Sequence, residues 1–228
     1  MTPIAVHAEI AGLVRLGVME AGPVAVGPAG SALKDEVAAE SARLAARHAG
    51  RPPSEIAGLH PARALYRSFG IDPTRTRPSS EALLRRILAG KPFPEVNNAV
   101  DLANLCAVRF LLPLGLYDVA KLRGPVLFRR GGLGEAYAGI RKDEVHVAGR
   151  PCLVDDEGPF GNPTSDSLRT SVDATTRDLL LVVFAPADFP AEELDADLAW
   201  AADRAGRLLA GDAPVAVATA RPSPGQGT

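Results

Sequence analysis

Apolar residues recur every three to four positions in five segments of the chain, which is the spacing of amphipathic helices. The predicted helices cover residues 31–48, 61–70, 79–90, 98–111 and 191–210. In the third of these segments, Ser79 is placed to cap the first turn and Gly90 to end the helix. The apolar stripe between them, which includes Leu84 and Ile87, predicts that one face of this helix is buried.

In the second half of the chain the hydrophobic pattern changes to a period of two, which is typical of strands. Short strands are predicted at residues 124–130, 135–140 and 143–149. Another strand is predicted near the N-terminus, at residues 8–18, where branched apolar residues are frequent. Residues 178–186 form a continuous apolar run, which predicts an inner strand with Leu181 and Val183 on the same side.

These elements predict an α+β fold in which a main domain, residues 60–190, carries further elements at both ends. Residues 1–59 contribute an N-terminal strand and helix that pack on this domain. Residues 191–210 form a C-terminal helix, and residues 211–228, which have neither period, are predicted to be a flexible tail.

Composition excludes several classes of protein. The chain has 228 residues and a net charge of −2, so any contact with nucleic acid must be local. Its two cysteines, Cys106 and Cys152, lie far apart and have no suitably spaced histidine, so no metal site is predicted. The glycine-rich segment 131–139 is interpreted as a hairpin turn, and no cofactor is expected. Because no segment has the pattern of a signal peptide or a membrane span, we expect a cytoplasmic protein that contacts neither membrane nor DNA.

The helix predicted at residues 98–111 begins with an unusual set of polar residues. Asn97, Asp101 and Asn104 are spaced to share one helix face, with Asn98 beside Asp101. Asn97 and Asp101 have two interpretations, since they either cap the helix in a water-facing stripe or line a binding site. Asn104 lies two turns inside the helix, where it has no role as a cap and poor helix propensity. Its uncharged donors and acceptors therefore indicate the wall of a binding site for a polar ligand.

Polar residues elsewhere are candidates for the same site. Arg77 and Ser79 precede the third predicted helix, and Ser165, Asp166 and Arg169 lie in the segment before the apolar strand. The alternative is that the second group forms a hydrated turn, because its neighbours are common turn residues.

The segment 63–91 holds seven basic residues against two acidic ones, a local balance of +5. This excess favours contact with a polyanion, for which Arg67, Arg75, Arg85 and Arg86 are the candidates. The alternative is that the stems of these arginines cover apolar surface.

Three linked blocks carry a resemblance to a known family. They are "LYRSFGIDPTRTRPSSEALLRRIL", "NNAVDLANL" and "LPLGLYD", within about residues 60–186. This pattern resembles the editing domain of the phenylalanyl-tRNA synthetase β-chain, in the version found as a short free-standing protein. The resemblance implies a β-sandwich-like core with flanking helices, and a pocket for the aminoacyl-tRNA 3′ end in which Asn104 lines the wall. It implies a tRNA-binding protein that hydrolyses mischarged aminoacyl-tRNA in trans, but not a complete tRNA ligase.

The chain departs from the family pattern at three positions. Ala103 replaces a threonine, Gly115 replaces the histidine of the turn, and Leu180 falls near a strand glutamate of the family. These departures leave open whether the chain is an enzyme. One hypothesis is an aminoacyl-tRNA deacylase with unknown catalytic residues, and the other is a non-catalytic module that binds an amino acid or another small polar ligand.

Overall fold

A computed structural model of the chain describes residues 1–140 and 142–222. The described part contains five α-helices close to the predicted positions. They are α1 (Ser31–Arg47), α2 (His60–Ser68), α3 (Ser79–Leu88), α4 (Asn98–Phe110) and α5 (Ala191–Leu209). Gly70 and Gly90 follow α2 and α3 with φ of 72° and 64°, a left-handed conformation that glycine adopts without steric cost.

Twelve strands are present in the described residues, several of them only two to four residues long. They are β1 (Ile4–Val6), β2 (Val14–Ala21), β3 (Leu114–Asp118), β4 (Val126–Arg130), β5 (Ala136–Gly139), β6 (Lys142–His146), β7 (Pro151–Asp155), β8 (Gly158–Asn162), β9 (Ser165–Asp166), β10 (Leu179–Pro186), β11 (Val215–Thr219) and β12 (Arg221–Pro222). One sheet has the order β11-β2-β10-β3, and a second has the order β12-β1-β4-β7-β8-β9. Strands β5 and β6 form a separate hairpin.

The continuous apolar strand β10 divides the core into two layers. Leu181 and Val183 point to one side, where they pack with apolar residues of α4 and α5. Val182 and Phe184 point to the other side, where they pack against residues of the second sheet such as Phe128. The alternation predicted for β10 is therefore confirmed, and the fold is α+β with two sheets face to face. Helices α4 and α5 cover the outer side of the first sheet, and Leu65 of α2 packs in the layer between the sheets.

The N-terminal segment differs from its prediction. The strand predicted at residues 8–18 lies instead at Val14–Ala21, because residues 8–10 form a short 3₁₀ turn in which the His7 side chain accepts from the Glu9 N–H. Strand β2 pairs with β10 along its full length and is an interior strand of that sheet. Residues 1–59 thus contribute to the main sheet rather than only packing on it.

The C-terminal segment also differs. Residues 211–228 were predicted to be a flexible tail, but Val215–Thr219 pair with β2 as strand β11. The run of alternating valines and alanines is too short to predict a strand from the sequence alone. In the fold, this run pairs with the edge of β2, and the pairing stabilises it as a strand. Residues 223–228 lie outside the described residues, and the predicted domain boundaries stay a prediction.

The start of α3 requires a further correction. Ser79 was predicted to cap this helix, but the capping position is Pro78, and no side chain accepts from the first turn there. Ser79 is the first helical residue and is exposed. Proline fits at this point because its fixed φ suits the entry into a helix, although it offers no capping oxygen.

Both cysteines are free and buried, and burial raises the pKa of the Cys152 thiol to about 12. In the described part of the chain, no cluster of three His, Cys, Asp or Glu side chains could hold a metal ion. No helix among the described residues is long and apolar enough to cross a bilayer.

Candidate functional site

A cleft of about 560 Å³ lies between helix α4, strand β3 and the loop that joins β8 to β9. Its walls combine apolar side chains with amides, hydroxyls and one carboxylate. The lining residues are Ser79, Pro94, Val96, Asn97, Val100, Ala103, Asn104, Ala107, Leu114, Leu116, Ile140, Asn162, Pro163, Thr164, Ser165, Asp166, Ser171 and Val172. Five of the residues predicted from the sequence, Ser79, Asn97, Asn104, Ser165 and Asp166, are thus brought together from three distant parts of the chain.

Helix α4 forms one wall of the cleft. Asn97 is its N-cap, with extended backbone, and the Asn97 Oδ1 accepts from the Val100 N–H at 2.9 Å. Asn104 lies two turns further along and is partly exposed. Its amide makes no hydrogen bond to the described residues, so its two donors and its acceptor oxygen are available to a ligand.

The β8–β9 loop forms the opposite wall and is held by hydrogen bonds at each residue. The buried Asn162 Oδ1 accepts from the N–H groups of Thr164 and Ser165 at 2.8 and 2.9 Å, which fixes the turn. Tyr66 on α2 donates its hydroxyl to the Pro163 carbonyl at 2.6 Å, and Tyr137 on β5 donates to the Ser165 carbonyl. The loop is therefore a rigid wall rather than only a hydrated turn.

Asp166 lies at the floor of the cleft, between the loop and β3. Its Oδ1 accepts from the Tyr117 hydroxyl at 2.7 Å, and its Oδ2 accepts a longer bond, 3.4 Å, from the Leu116 N–H. Burial raises the pKa of Asp166 to about 7, although these two hydrogen bonds oppose the shift. The carboxyl group therefore changes its charge near neutral pH.

Two glycines make room for the Tyr117 side chain. A Cβ atom at Gly115 would lie 2.0 Å from the Tyr117 Oη, and one at Gly161 would lie 2.3 Å from the same atom. Gly115 is the position at which the family resembled by the sequence carries a histidine. In this chain the space beside that position is filled by a tyrosine hydroxyl, which explains physically why the residue is glycine.

Sequence reasoning did not identify the tyrosines. The chain contains three, and each donates its hydroxyl to the segment 163–166. The only available signals were that tyrosine is rare in this chain and that each tyrosine lies in a short strand or helix. Local periodicity cannot predict a hydrogen bond from a tyrosine hydroxyl to a residue that is distant in sequence. All three are positioning residues for the loop wall and the floor.

Two predicted residues of α4 face away from the cleft. Asn98 accepts from the Gly27 N–H at 3.0 Å and donates to the Ala25 carbonyl at 2.8 Å, so it anchors the segment after β2. Asp101 is buried and accepts from the Val96 N–H at 2.9 Å. Asn97, Asp101 and Asn104 were predicted to share one polar face. The Asp101 carboxylate instead binds the Val96 N–H just before the helix, because this N–H has no partner within the helix.

Arg169 and Arg77 also lie outside the lining of the cleft. Arg169 forms a double contact with the Asp155 carboxylate at 2.8 and 3.0 Å and a further ion pair with Glu157 at 3.3 Å. Arg77 lies 3.7 Å from Glu81 and its side chain is 44% exposed, so it remains accessible two residues before Ser79.

The basic segment is partly neutralised in the fold. The Glu81 side chain is 3% exposed and forms ion pairs with Arg63 at 2.8 Å, with Arg85 at 2.9 Å and with Arg77. Arg86 donates to the Pro92 carbonyl, and Arg75 lies 3.7 Å from Asp72 while staying almost fully exposed. Arg67 is exposed and forms no ion pair with the described residues. The local excess of charge is therefore concentrated on fewer arginines than the sequence predicted.

Comparison with known proteins identifies the central part of the chain. The B3/4 domain family matches residues 62–189, which run from the first turn of α2 to beyond β10 and contain the whole lining of the cleft. Among solved structures, the chain is similar to an N-terminal fragment of the phenylalanyl-tRNA synthetase β-subunit from Pyrococcus horikoshii, with a TM-score of 0.43 and 12% sequence identity. That match covers 96% of this chain and 50% of the fragment, so the chain spans half the length of the relative. No protein of curated function matches the sequence. Because the family match covers more than half of its residues, the chain belongs to the B3/4 domain family, which is related to the phenylalanyl-tRNA synthetase β-subunit.

Proposed function

We propose that the cleft receives the aminoacylated 3′ end of a tRNA and that the protein hydrolyses mischarged aminoacyl-tRNA in trans. The observation that carries this proposal is the free amide of Asn104 in the wall of a cleft whose floor holds Asp166. Membership of a family related to the phenylalanyl-tRNA synthetase β-subunit supports a tRNA-related ligand. A second sieve of this kind is needed where binding alone cannot separate similar amino acids.

In this proposal each part of the cleft has a role. Asn97 and Asn104 hold the acceptor end through neutral hydrogen bonds, and Ser165 and Asp166 contact the amino acid. Arg77 is accessible at the Ser79 side and meets the terminal phosphate. Hydrolysis of an activated ester requires a positioned water, which the amides and the tRNA terminal hydroxyl orient without a protein nucleophile.

Asn104→Ala is expected to weaken binding of aminoacyl-tRNA by at least fivefold while changing the free energy of unfolding by less than about 1 kcal/mol. The reason is that the Asn104 amide forms no hydrogen bond within the described fold. Its removal therefore affects only hydrogen bonds to the ligand. Affinity is measured by filter binding and stability by urea unfolding.

Asn98→Ala is the matched control, because it changes the same residue type on the same helix outside the cleft. It should destabilise the fold through the lost contacts with Ala25 and Gly27 and leave affinity unchanged. If Asn104→Ala instead strongly destabilises the fold while the folded variant binds normally, Asn104 is a structural residue.

The double variant Arg67→Ala, Arg75→Ala is expected to weaken binding of all tRNAs alike and to lower the slope of log affinity against log salt by about two. Both arginines are exposed and neither is held by Glu81. The double variant Arg47→Ala, Arg51→Ala removes the same charge from two exposed residues, one at the end of α1 and one just after it, and is the control. Equal losses in both variants would mean that only net charge matters, and no binding by the wild type at low salt would remove tRNA as a ligand.

A non-catalytic binding module for an amino acid or another small polar ligand is the second candidate. It is favoured by Gly115, where the resembled family has a histidine and where Tyr117 leaves no space for a side chain. Mixing the purified protein with tRNAs that carry different wrong amino acids and following their release separates the two. Release above the buffer rate supports the deacylase, and binding without release supports the module.

A further inference from the structure

Asp166 is the one ionisable residue among the described residues that line the cleft. The other polar groups there are the amides of Asn97, Asn104 and Asn162 and several hydroxyls, all of them neutral. No Lys, Arg or His side chain of the described residues forms an ion pair with Asp166. Among the described residues, the cleft therefore presents a single negative charge without a counter-ion.

The carboxylate is held in one orientation. Its Oδ1 is bound by the Tyr117 hydroxyl, whose buried ring lies against Gly115 and Gly161 and forms an edge contact with Phe160. Among the described residues, its Oδ2 accepts only the long bond from the Leu116 N–H, so it retains capacity for a stronger donor. The titratable groups that face Asp166 from the surrounding described elements are the phenols of Tyr117 and Tyr137, neither of which is cationic.

We infer that Asp166 makes the cleft select ligands that carry a primary ammonium group, which would donate to the weakly bound Oδ2 oxygen. The inference deepens the proposed function and rests on it, because the amino acid of an aminoacyl-tRNA presents such a group next to its ester. A carboxylate without a counter-ion among the described residues of a partly buried site is costly, and a ligand cation offsets that cost with a charge-assisted hydrogen bond. Apolar neighbours such as Leu114, Leu116 and Val172 are suited to the uncharged remainder of the ligand.

The raised pKa of Asp166 is consistent with this role and predicts how it depends on pH. Burial brings the pKa to about 7, so about half of the molecules carry the charge at neutral pH. An α-ammonium group has an ordinary pKa of about 7.7–8.0 and stays charged up to pH 7. Affinity should therefore rise about tenfold between pH 5.5 and pH 7, and binding at pH 7 should release a fraction of a proton.

The test uses non-hydrolysable adenosines that carry an amino acid in amide linkage at the 3′ position, with alanine, valine, phenylalanine or tyrosine as the amino acid. Each is compared with its N-acetyl form, which lacks the ammonium group. The wild type should bind the free-amine form at least tenfold more tightly, measured by calorimetry. Equal affinity for the two forms would overturn the inference without the need for any variant.

Asp166→Asn should reduce this preference to less than about twofold and remove the rise in affinity between pH 5.5 and pH 7. Asp101→Asn, which changes a buried carboxyl outside the cleft, should preserve both. Because the folded state of the wild type keeps the Asp166 proton to higher pH than the unfolded state, its stability falls as pH rises from about 4 to 7. Asp166→Asn lacks that loss and should be folded at pH 7, and an unchanged ammonium preference in the folded variant would also overturn the inference.

Amino acid amides with the same side chains separate this inference from the proposed function. If the adenosine probes do not bind but the amides bind in a manner that depends on Asp166, the proposed tRNA ligand is wrong and the ammonium site stands. If the adenosine probes bind with no preference for the free amine, the proposed function stands and the ammonium site is wrong.

Discussion

Replacement of Glu81 by alanine is expected to lower the free energy of unfolding by about 3–5 kcal/mol, because it leaves buried positive charge without a partner. The Glu81 carboxylate accepts from the Arg63 Nε and Nη2 at 2.8 and 2.9 Å and from the Arg85 Nε at 2.9 Å. The Arg63 side chain is only 15% exposed, so water cannot replace the lost carboxylate there. Urea unfolding at pH 7 measures the change.

Two further variants sharpen this result. Glu95→Ala removes an exposed carboxylate that pairs with Lys34 at 3.3 Å and should change stability by less than about 0.5 kcal/mol. Glu81→Leu combined with Arg63→Met should recover most of the loss, since an apolar pair carries no unpaired charge. If the single and double variants are equally unstable, the loss comes from packing and not from the charge on Arg63.

The Glu81 effect also has a predicted dependence on pH. Burial alone would raise the pKa of Glu81, but hydrogen bonds from Arg63 and Arg85 outweigh it, and the pKa is lowered from 4.5. A lowered folded pKa means that the stabilisation is present above the unfolded value and is lost as pH falls through the folded value. The difference between wild type and Glu81→Ala should therefore narrow in acid below about pH 4.5.

Replacement of Gly115 by alanine is expected to lower the free energy of unfolding by roughly 1–3 kcal/mol, the usual cost of overpacking. The added Cβ would lie 2.0 Å from the Tyr117 Oη, 2.5 Å from its Cζ and 2.9 Å from the Asp166 Oδ1. Tyr117 is fully buried and Gly161 lies on its other side, so the ring has no space into which to move. Ligand binding should be lost as well, because the Tyr117–Asp166 bond forms the floor of the cleft.

Gly12→Ala is the control for Gly115→Ala, since nothing lies within 4 Å of the Cβ that it would add. It should change stability by less than about 0.5 kcal/mol. Adding Tyr117→Phe to Gly115→Ala removes the closest atom, so the cost of the double variant should be smaller than the sum of the single costs. Additive costs would contradict a direct clash between the two residues.

Local periodicity was sufficient to predict the helices and the central strand. The apolar stripes of α3, α4 and α5 and the continuous run of β10 each bury a face that the sequence displays within a few turns. Asn97 as a helix cap and Asn104 as a residue without a local role follow from the same short-range rules.

The strands that the sequence did not predict depend on partners distant in the chain. Strand β7 begins with a proline and β8 contains two glycines, so local propensity argues against both. They form because β7 pairs with β4 on one side and with β8 on the other. The same holds for β11, whose signal becomes meaningful only next to the edge of β2.

The sequence by itself determined the α+β class, the main helices, the inner strand and the position of Asn104 inside α4 without a local partner. Only the tertiary structure decided which polar residues meet, because a side chain takes the partner that its fold places nearest. The fold brings Asp166, Asn104 and Ser79 to one cleft. It pairs Arg169 with Asp155 and three arginines with Glu81. It also turns the Asp101 carboxylate toward the backbone that precedes α4. Hydrogen bonds and ion pairs act over about 3–4 Å in space, and no local period in the sequence records those distances.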